Sequence, residues 1–279
     1  MKKTEIKVTK NTNLRNLLKE YMPYISNVDF FELLKKKDIK LNGKKIGNNL
    51  EVKLGDIVTV FTQEEKIDVI YEDKNVLIVD KPIKMEVVST KNGVNTLTSI
   101  LEEKYEFVKP IHRLDTNTKG LVVFALNEES YTILLKAFKD RLLDKYYLAQ
   151  VKYSTKIKSK NSFTDFLFKQ EKSSLVKMYP QKVNGAKEAR LEYELLSKSE
   201  DIATIKVRLI TGLTHQIRAQ LAFHDMPILG DTKYGDIDFN SKYKKKYQSL
   251  IAYNIVFRLN GTKLDYLNKL HIMTNFTKF

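Results

Sequence analysis

The sequence predicts an α+β protein in two parts, and three observations lead there. Two short helical patterns near the N-terminus are followed by strand-like pieces around an Asn-Gly turn. Beyond residue 70, several strand patterns interleave with few helices. The length of 279 residues exceeds what one small domain needs. The predicted parts are residues 1–62 and 70–279, with a charged connector at 63–70 carrying Glu64, Glu65, Lys66 and Asp68.

In the first part, Leu14, Leu17 and Leu18 recur at helical spacing. Val28, Phe31 and Leu34, with Phe30, form a second helical pattern. It ends in Lys35-Lys36-Lys37, where cations suit a helix C-terminus. Ile39 to Leu41 and Lys44 to Ile46 flank Asn42-Gly43, a strong hairpin signal. Ile57 to Phe61 closes this part as a strand.

In the second part, Val76 to Val79 is a short apolar run ending at Asp80-Lys81-Pro82, which fits a buried strand stopped by proline. Leu121 to Ala125 is another such run. Tyr131 to Phe138 has helical periodicity, and Tyr147 to Val151 returns to strand. Ile202 to Ile210 alternates, so Ala203, Ile205, Val207 and Leu209 share one face. After Thr211-Gly212 a helix is predicted from Thr214 to about His224, stopped before Pro227.

Composition bounds the chemistry. Apolar residues make up 42% and charged residues 30%, a globular balance. Cysteine is absent, which excludes disulfides, thiolate metal sites and a cysteine nucleophile. There is neither a Gly-rich phosphate loop nor a serine nucleophile elbow. His215 and His224 lie nine residues apart on one predicted helix and so face nearly opposite ways, where they cannot easily bind one ion; His112 and Asp115 could share an ion with one of them, but no metal site is expected. No apolar run reaches membrane-spanning length and the start lacks a signal-peptide core, so a soluble cytoplasmic monomer is expected.

The net charge is +15, a surplus that attracts polyanions. Residues 1–62 hold 13 basic and 7 acidic residues, and residues 152–190 hold 10 and 3. The second stretch, and Lys242 to Tyr247 with its interleaved tyrosines, fit phosphate-contacting loops or hydrated loops equally.

The densest polar cluster is Pro110 to Gly120, with His112, Arg113 and Asp115 within four positions, just before the apolar strand at Leu121. A loop against a buried strand holds functional groups on rigid support.

His112 to Ala125 resembles the signature of the pseudouridine synthase family that contains the ribosomal large-subunit RNA enzymes. Three further stretches agree in order. Asp80-Lys81-Pro82 resembles the family's early lysine-proline motif. Lys145 to Ala149 places Tyr147 on its active-site tyrosine, and Thr211 to Arg218 places Arg218 on its active-site arginine. Pro227 to Gly235 continues the match. Residues 1–62 resemble the S4 RNA-binding domain through their two helices, Lys37 to Ile46 and Leu54 to Val60. The sequence departs from the family at Lys84 and Asp225, where glycine is usual, at Lys119, usually a small residue, at Leu213, commonly arginine, and at Gln220, commonly histidine.

The resemblance implies a central, largely antiparallel mixed sheet with flanking helices behind a small S4-like domain. It implies an enzyme without cofactor or metal that isomerises uridine to pseudouridine within RNA, ribosomal large-subunit RNA before transfer RNA. Asp115 is its catalytic carboxylate. The carboxylate can attack C1′, or the route can run through C2′ deprotonation or addition at C6; sequence leaves these open. Arg218 is the natural charge partner, and Tyr147 stacks on the nucleotide. On this reading His112 and Arg113 hold RNA around the flipped base. Thr214 and His215 offer first-turn backbone N–H groups to a phosphate. The S4 resemblance implies RNA contacts from Arg15, Lys35, Lys36, Lys37 and Lys40. A scaffold that binds RNA without turnover, a glycosidase with a second carboxylate, and a structural ribosome-associated protein are the rival readings.

Overall fold

The computed structural model describes residues 1–275 except 23–24, 26, 63–66, 90–95 and 171–172. The connector residues Glu64, Glu65 and Lys66 therefore lie outside the described residues, while Asp68 opens a strand. The chain divides into two compact units, Met1–Lys66 with Val88–Thr96, and Ile67–Val87 with Leu97–Phe279.

The first unit comprises β1 (Lys2–Lys7), β2 (Thr12–Asn13), α1 (Leu14–Tyr21), α2 (Asn27–Lys36), β3 (Ile39–Leu41), β4 (Lys44–Ile46), β5 (Glu51–Val52) and β6 (Ile57–Thr62). Its four-stranded sheet has the order β1-β6-β3-β4, and β2 pairs with β5. Asn13 caps α1 by accepting the Asn16 N–H at 2.8 Å, and Leu14, Leu17 and Leu18 are buried. In α2 the buried residues are Phe30 and Leu34, four apart, whereas Val28 and Phe31 are exposed. The helix is thus rotated from the stripe that the sequence pattern offered. Asn42 and Gly43 both take positive φ, 48° and 81°, which is the twist a tight two-residue hairpin needs.

The second unit comprises β7 (Asp68–Glu72), β8 (Val76–Lys81), α3 (Leu97–Glu102), β9 (Lys109–Pro110), β10 (Lys119–Ala125), α4 (Glu128–Lys139), β11 (Leu143–Lys152), β12 (Lys160–Lys169), β13 (Val176–Tyr179), β14 (Lys187–Ser199), β15 (Ile202–Leu209), α5 (Gln216–Phe223), α6 (Ile237–Lys242), β16 (Leu250–Phe257) and β17 (His271–Met273). One sheet runs β13-β12-β14-β15-β11-β16-β10-β8-β7, with β17 on β16 and β9 on β10. Its pairs are antiparallel apart from β10 beside β16. This is the α+β fold with a mixed, largely antiparallel sheet that was expected.

The two kinds of strand pattern have one cause. In β8 and β10 every residue but Lys119 is buried. Leu77, Val79, Val122 and Phe124 enter one core with Ile217 and Leu221 of α5. Ile78, Leu121 and Val123 enter another with Leu134 and Ala137 of α4. Strands covered on both faces read as continuous apolar runs. In β15 only Ala203, Ile205, Val207 and Leu209 are buried, so it alternates. Helix α4 is capped by Asn127, which accepts the Ser130 N–H at 2.9 Å.

The parallel contact of β10 with β16 rests on Gly120. Its φ is 119°, and a β-carbon there would lie 2.2 Å from the Ala252 carbonyl oxygen. The two backbones meet where only glycine fits, five residues after Asp115.

Candidate active site

Asp115 sits on a turn closed by its own carbonyl, which accepts the Thr118 N–H at 3.0 Å. Three long-range bonds hold that turn. Lys81, fully buried at the end of β8, donates from Nζ to the carbonyls of Pro82, Met85 and Thr116, the last at 3.0 Å. Gln248 Nε2 donates to Thr118 Oγ1 at 2.8 Å. His112 Nε2 accepts the Val123 N–H at 3.2 Å, which ties the loop back to β10. Burial, helped by the charge of Lys145, pushes the His112 ring down to about 3, so it stays neutral. His112 is thus a brace for the strand, and Arg113 beside it is exposed.

Arg218 projects from the first turn of α5 and is nearly fully buried. Its Nη1 donates to Asp115 Oδ2 at 2.8 Å. Its Nε and Nη2 donate to Asp231 Oδ2 and Oδ1 at 2.6 and 2.8 Å, a bidentate fork. Asp231 also accepts the backbone N–H groups of Lys233 and Tyr234. Arg218 and these N–H groups outweigh burial and hold Asp231 below the usual carboxylate range, while both carboxylates hold Arg218 above its ordinary value. The cation is thereby fixed in the ionised state and in one orientation. Asp231 is buried, but the Asp115 side chain retains 27% exposure, and its Oδ1 has no side-chain partner among the described residues.

Tyr147 lies in β11 opposite Val207 and Ala252, next to a register shift against β16. It is buried against the same core as Ile217. Burial, and secondarily the Asp115 charge, raise its phenol above the usual value, so it stays protonated. The structure therefore brings Asp115, Arg218 and Tyr147 together from three separate elements.

His215 and Thr214 fall differently from the sequence expectation. Helix α5 starts at Gln216, not Thr214. The Gln216 side chain accepts the Leu213 N–H and the Thr211 hydroxyl, which ends the preceding loop, and His215 takes a left-handed conformation with φ 54°. Thr214 is exposed ahead of the helix, so neither residue lies on its first turn. His215 Nε2 is 3.9 Å from Asp115 Oδ2, and Nδ1 is 2.9 Å from the Tyr234 hydroxyl. That hydroxyl already accepts the Val176 N–H at 2.9 Å. Burial lowers the His215 value despite Asp115.

The N-terminal candidates occupy the first unit. Arg15 is engaged within it: Nε donates to Asn27 Oδ1 at 2.8 Å, Nη1 donates to the Ile25 carbonyl, and the guanidinium lies over Phe30. Lys35, Lys36 and Lys37 are exposed at the end of α2, with Lys36 3.8 Å from Glu32. Lys40 lies over the Phe61 ring at 5.1 Å.

Sequence reasoning missed Asp231, Lys81 and Tyr234 as parts of the site. A signal existed for the first, because a buried arginine between apolar neighbours needs a carboxylate, and Asp231 follows the apolar Pro227 to Leu229. Two departures also gain a physical meaning. Lys84 and Asp225 hold left-handed φ values of 65° and 60°, which glycine would adopt without strain. Gln220 is fully buried and donates to Asp165 Oδ2 at 2.7 Å and to the Ala189 carbonyl. Among the described residues, no group of three or more His, Asp or Glu could hold a metal ion, and no helix is long and apolar enough to cross a membrane.

Comparison with known proteins finds similar chains. A family model described as RNA pseudouridylate synthase matches residues 75–223. An uncharacterized RNA pseudouridine synthase of Mycoplasma capricolum is 32% identical, covering 88% of this chain and 87% of the relative. A ribosomal large subunit pseudouridine synthase C of Rickettsia bellii is 31% identical, covering 89% and 92%. The fold is similar to that of human RNA Pseudouridylate Synthase Domain Containing 1, with a TM-score of 0.62 at 19% identity over 75% of this chain and 83% of that one.

Proposed function

Because this chain belongs to the RNA pseudouridylate synthase family, we propose that it isomerises uridines of ribosomal large-subunit RNA with Asp115 as the catalytic carboxylate. One observation carries this reading: one oxygen of Asp115 is held by Arg218 at 2.8 Å while the other has no side-chain partner among the described residues, on a side chain 27% exposed. A carboxylate so held is oriented and partly accessible. It can attack C1′ or take a proton at C2′.

Arg218 serves as the positioning cation, since its other two donors are committed to Asp231. Tyr147 supplies an aromatic surface for the uracil or its sugar. As the bond to C5 forms, the C5 proton must leave, and a protonated phenol accepts it only by passing its own proton on. Arg113 is exposed beside Asp115 and suits the vacated stack or the RNA backbone. The choice of ribosomal RNA is supported by the Rickettsia bellii relative, which is named for the large subunit. Residues 1–62 act as an S4-like capture element through Lys35, Lys36, Lys37 and Lys40. The protein works as a monomer in the cytoplasm.

The test is Asp115→Asn in the full chain. The amide keeps the shape and removes the nucleophile. Tritium release from large-subunit RNA labelled at uridine C5 is expected to vanish while RNA binding persists. Turnover within about tenfold of wild type, a difference of about 1.4 kcal/mol in barrier, would refute the role of Asp115. Release from transfer RNA alone would refute the substrate.

A further inference from the structure

Lys145 carries a charge that nothing in the described fold answers. It lies in β11 two residues before Tyr147, and strand alternation puts both on one face. The strands on either side bring Leu209 and Ile255 opposite it. Its Nζ stands 4.6 Å from the centre of the Phe138 ring of α4. The His112 ring stacks near the same phenylalanine, 5.8 Å between centres. Among the described residues, no carboxylate lies within 4 Å of Nζ. The charge acting on it is that of another cation, Arg141, two residues past the end of α4.

Gly212 adds an independent observation. Its φ is not in the left-handed region, so backbone conformation does not demand glycine there. A β-carbon at Gly212 would instead lie 3.3 Å from Lys145 Nζ. Glycine at this point keeps a side chain on the loop that leads to Arg218 from crowding the ammonium. Phe138 lies beside the ammonium with the His112 ring stacked on it, and the charge acting on Lys145 is positive.

A partly buried cation without a counter-charge, with the exposed Arg141 adding to the positive charge around it, costs stability, and burial and Arg141 push Lys145 down to about 8. The lost stability is recovered when an anion binds. We infer that Lys145, backed by Arg141, seats a backbone phosphate of the substrate RNA beside the nucleotide presented to Asp115. This deepens the proposed function and rests on RNA being the substrate. A phosphodiester is the anion that accompanies every nucleotide of that substrate, and an ammonium on a stiff strand holds it as a point charge.

The experiment uses the full chain with Lys145→Gln and Lys145→Arg. Binding of fluorescent oligouridylate is measured at three salt concentrations, and tritium release from large-subunit RNA gives KM and kcat. Lys145→Gln is expected to weaken binding and raise KM about tenfold, as for one charged hydrogen bond. It is expected to reduce the slope of log affinity against log salt by about 0.7, one phosphate on a single strand. Turnover at saturating RNA stays within about threefold, and Lys145→Arg restores affinity and slope. An unchanged slope in folded Lys145→Gln, or Lys145→Arg as weak as the glutamine variant, overturns the inference.

A pH series keeps the test open if the glutamine variant does not fold. The titratable groups facing Lys145 are Arg141 and His112. From pH 7 to 9 the His112 ring stays neutral. Wild-type affinity should fall over that range and Lys145→Arg should not, whereas equal loss in both overturns the inference. If wild type releases no tritium from any RNA, the proposed function fails, while the salt slopes still report on the phosphate seat.

Discussion

Two ionic triads in the second unit use the same three-group chemistry in opposite senses. At the site, one buried arginine, Arg218, stands between two carboxylates, Asp231 and Asp115. On the other face of β11, one buried carboxylate, Asp144, stands between two arginines, with Arg208 Nη2 at 2.9 Å and Arg258 Nε at 2.7 Å. In the second triad both carboxylate oxygens are consumed, and the partly exposed ends are guanidinium groups that reach towards solvent and Glu192. It straps β11, β15 and the end of β16 together. In the first triad the exposed end is a carboxylate with an oxygen to spare. The lesson is that a triad stabilises in either sense, but only one sense leaves a carboxylate oxygen without a side-chain partner and available for the proposed chemistry.

The largest expected effects come from removing each triad's buried carboxylate. Asp231→Ala should cost about 3–5 kcal/mol in urea unfolding, because the buried Arg218 loses its bidentate partner, and Asp144→Ala should cost less, because Arg208 and Arg258 are partly exposed and water takes up their charge. The two should separate in turnover per folded molecule. Asp231→Ala should lose it, since Arg218 is freed to rotate away from Asp115, and Asp144→Ala should keep it. A fall of more than about tenfold, or 1.4 kcal/mol in barrier, in Asp144→Ala would break the distinction.

The next effect is smaller and reads on pH. Asp231 and Asp144 are both held below the ordinary carboxylate range, although burial alone would raise them. The stability they contribute is present above that range and is lost as pH falls through their folded values, so acid alone does not separate the triads. His112 does, and only on the side of the site. Its folded value is about 3, so between about pH 6.5 and 3 the unfolded chain binds a proton that the folded chain refuses. Stability should therefore fall with pH in that window, by up to about 1.4 kcal/mol per unit. His215 contributes in the same direction. His112→Gln, which keeps an acceptor for the Val123 N–H, should reduce the slope between pH 6 and 5 in a denaturation series. An unaltered slope would assign it elsewhere.

The smallest effect tests whether the helix carrying Arg218 is strained independently of its triad. Asp225 follows α5 with φ 60°. Asp225→Gly should add about 1 kcal/mol of stability, the cost of a left-handed residue with a side chain, without changing turnover. A loss of stability would mean that the Asp225 side chain has a compensating role.

Much of this was legible in the sequence, for reasons that can be stated. The runs Val76 to Val79 and Leu121 to Ala125 announced strands buried on both faces, and the alternation of β15 announced one covered face. The cluster at His112 to Asp115 and the distant Arg218 were legible as a group because the stretches that carry them resemble the motifs of one family in their order. The bidentate role of Asp231 was not, because several carboxylates were equally able to answer Arg218 and only the fold chooses among them. Lys81 was hidden for a related reason: its partners are backbone carbonyls, which every residue carries. The start of α5 was misplaced because Gln216 caps the loop with its side chain, a use of glutamine that periodicity does not register. In α2 it is Phe30 rather than Phe31 that enters the core, with Arg15 of α1 over its ring, a packing between elements that the spacing alone does not fix.

Gly120 has a consequence for any library of variants scored by activity. Position 120 will come out intolerant of every substitution, a short distance along the chain from Asp115, and will look like part of the chemistry. Its intolerance arises instead from a meeting of two backbones, the Ala252 carbonyl filling the space of a first side-chain atom at a φ that other residues avoid. Activity scores alone will therefore merge two classes of position in this stretch. Scoring the same library for folded yield would part them, with substitutions at 120 lost from the soluble fraction and conservative ones at 115 retained in it.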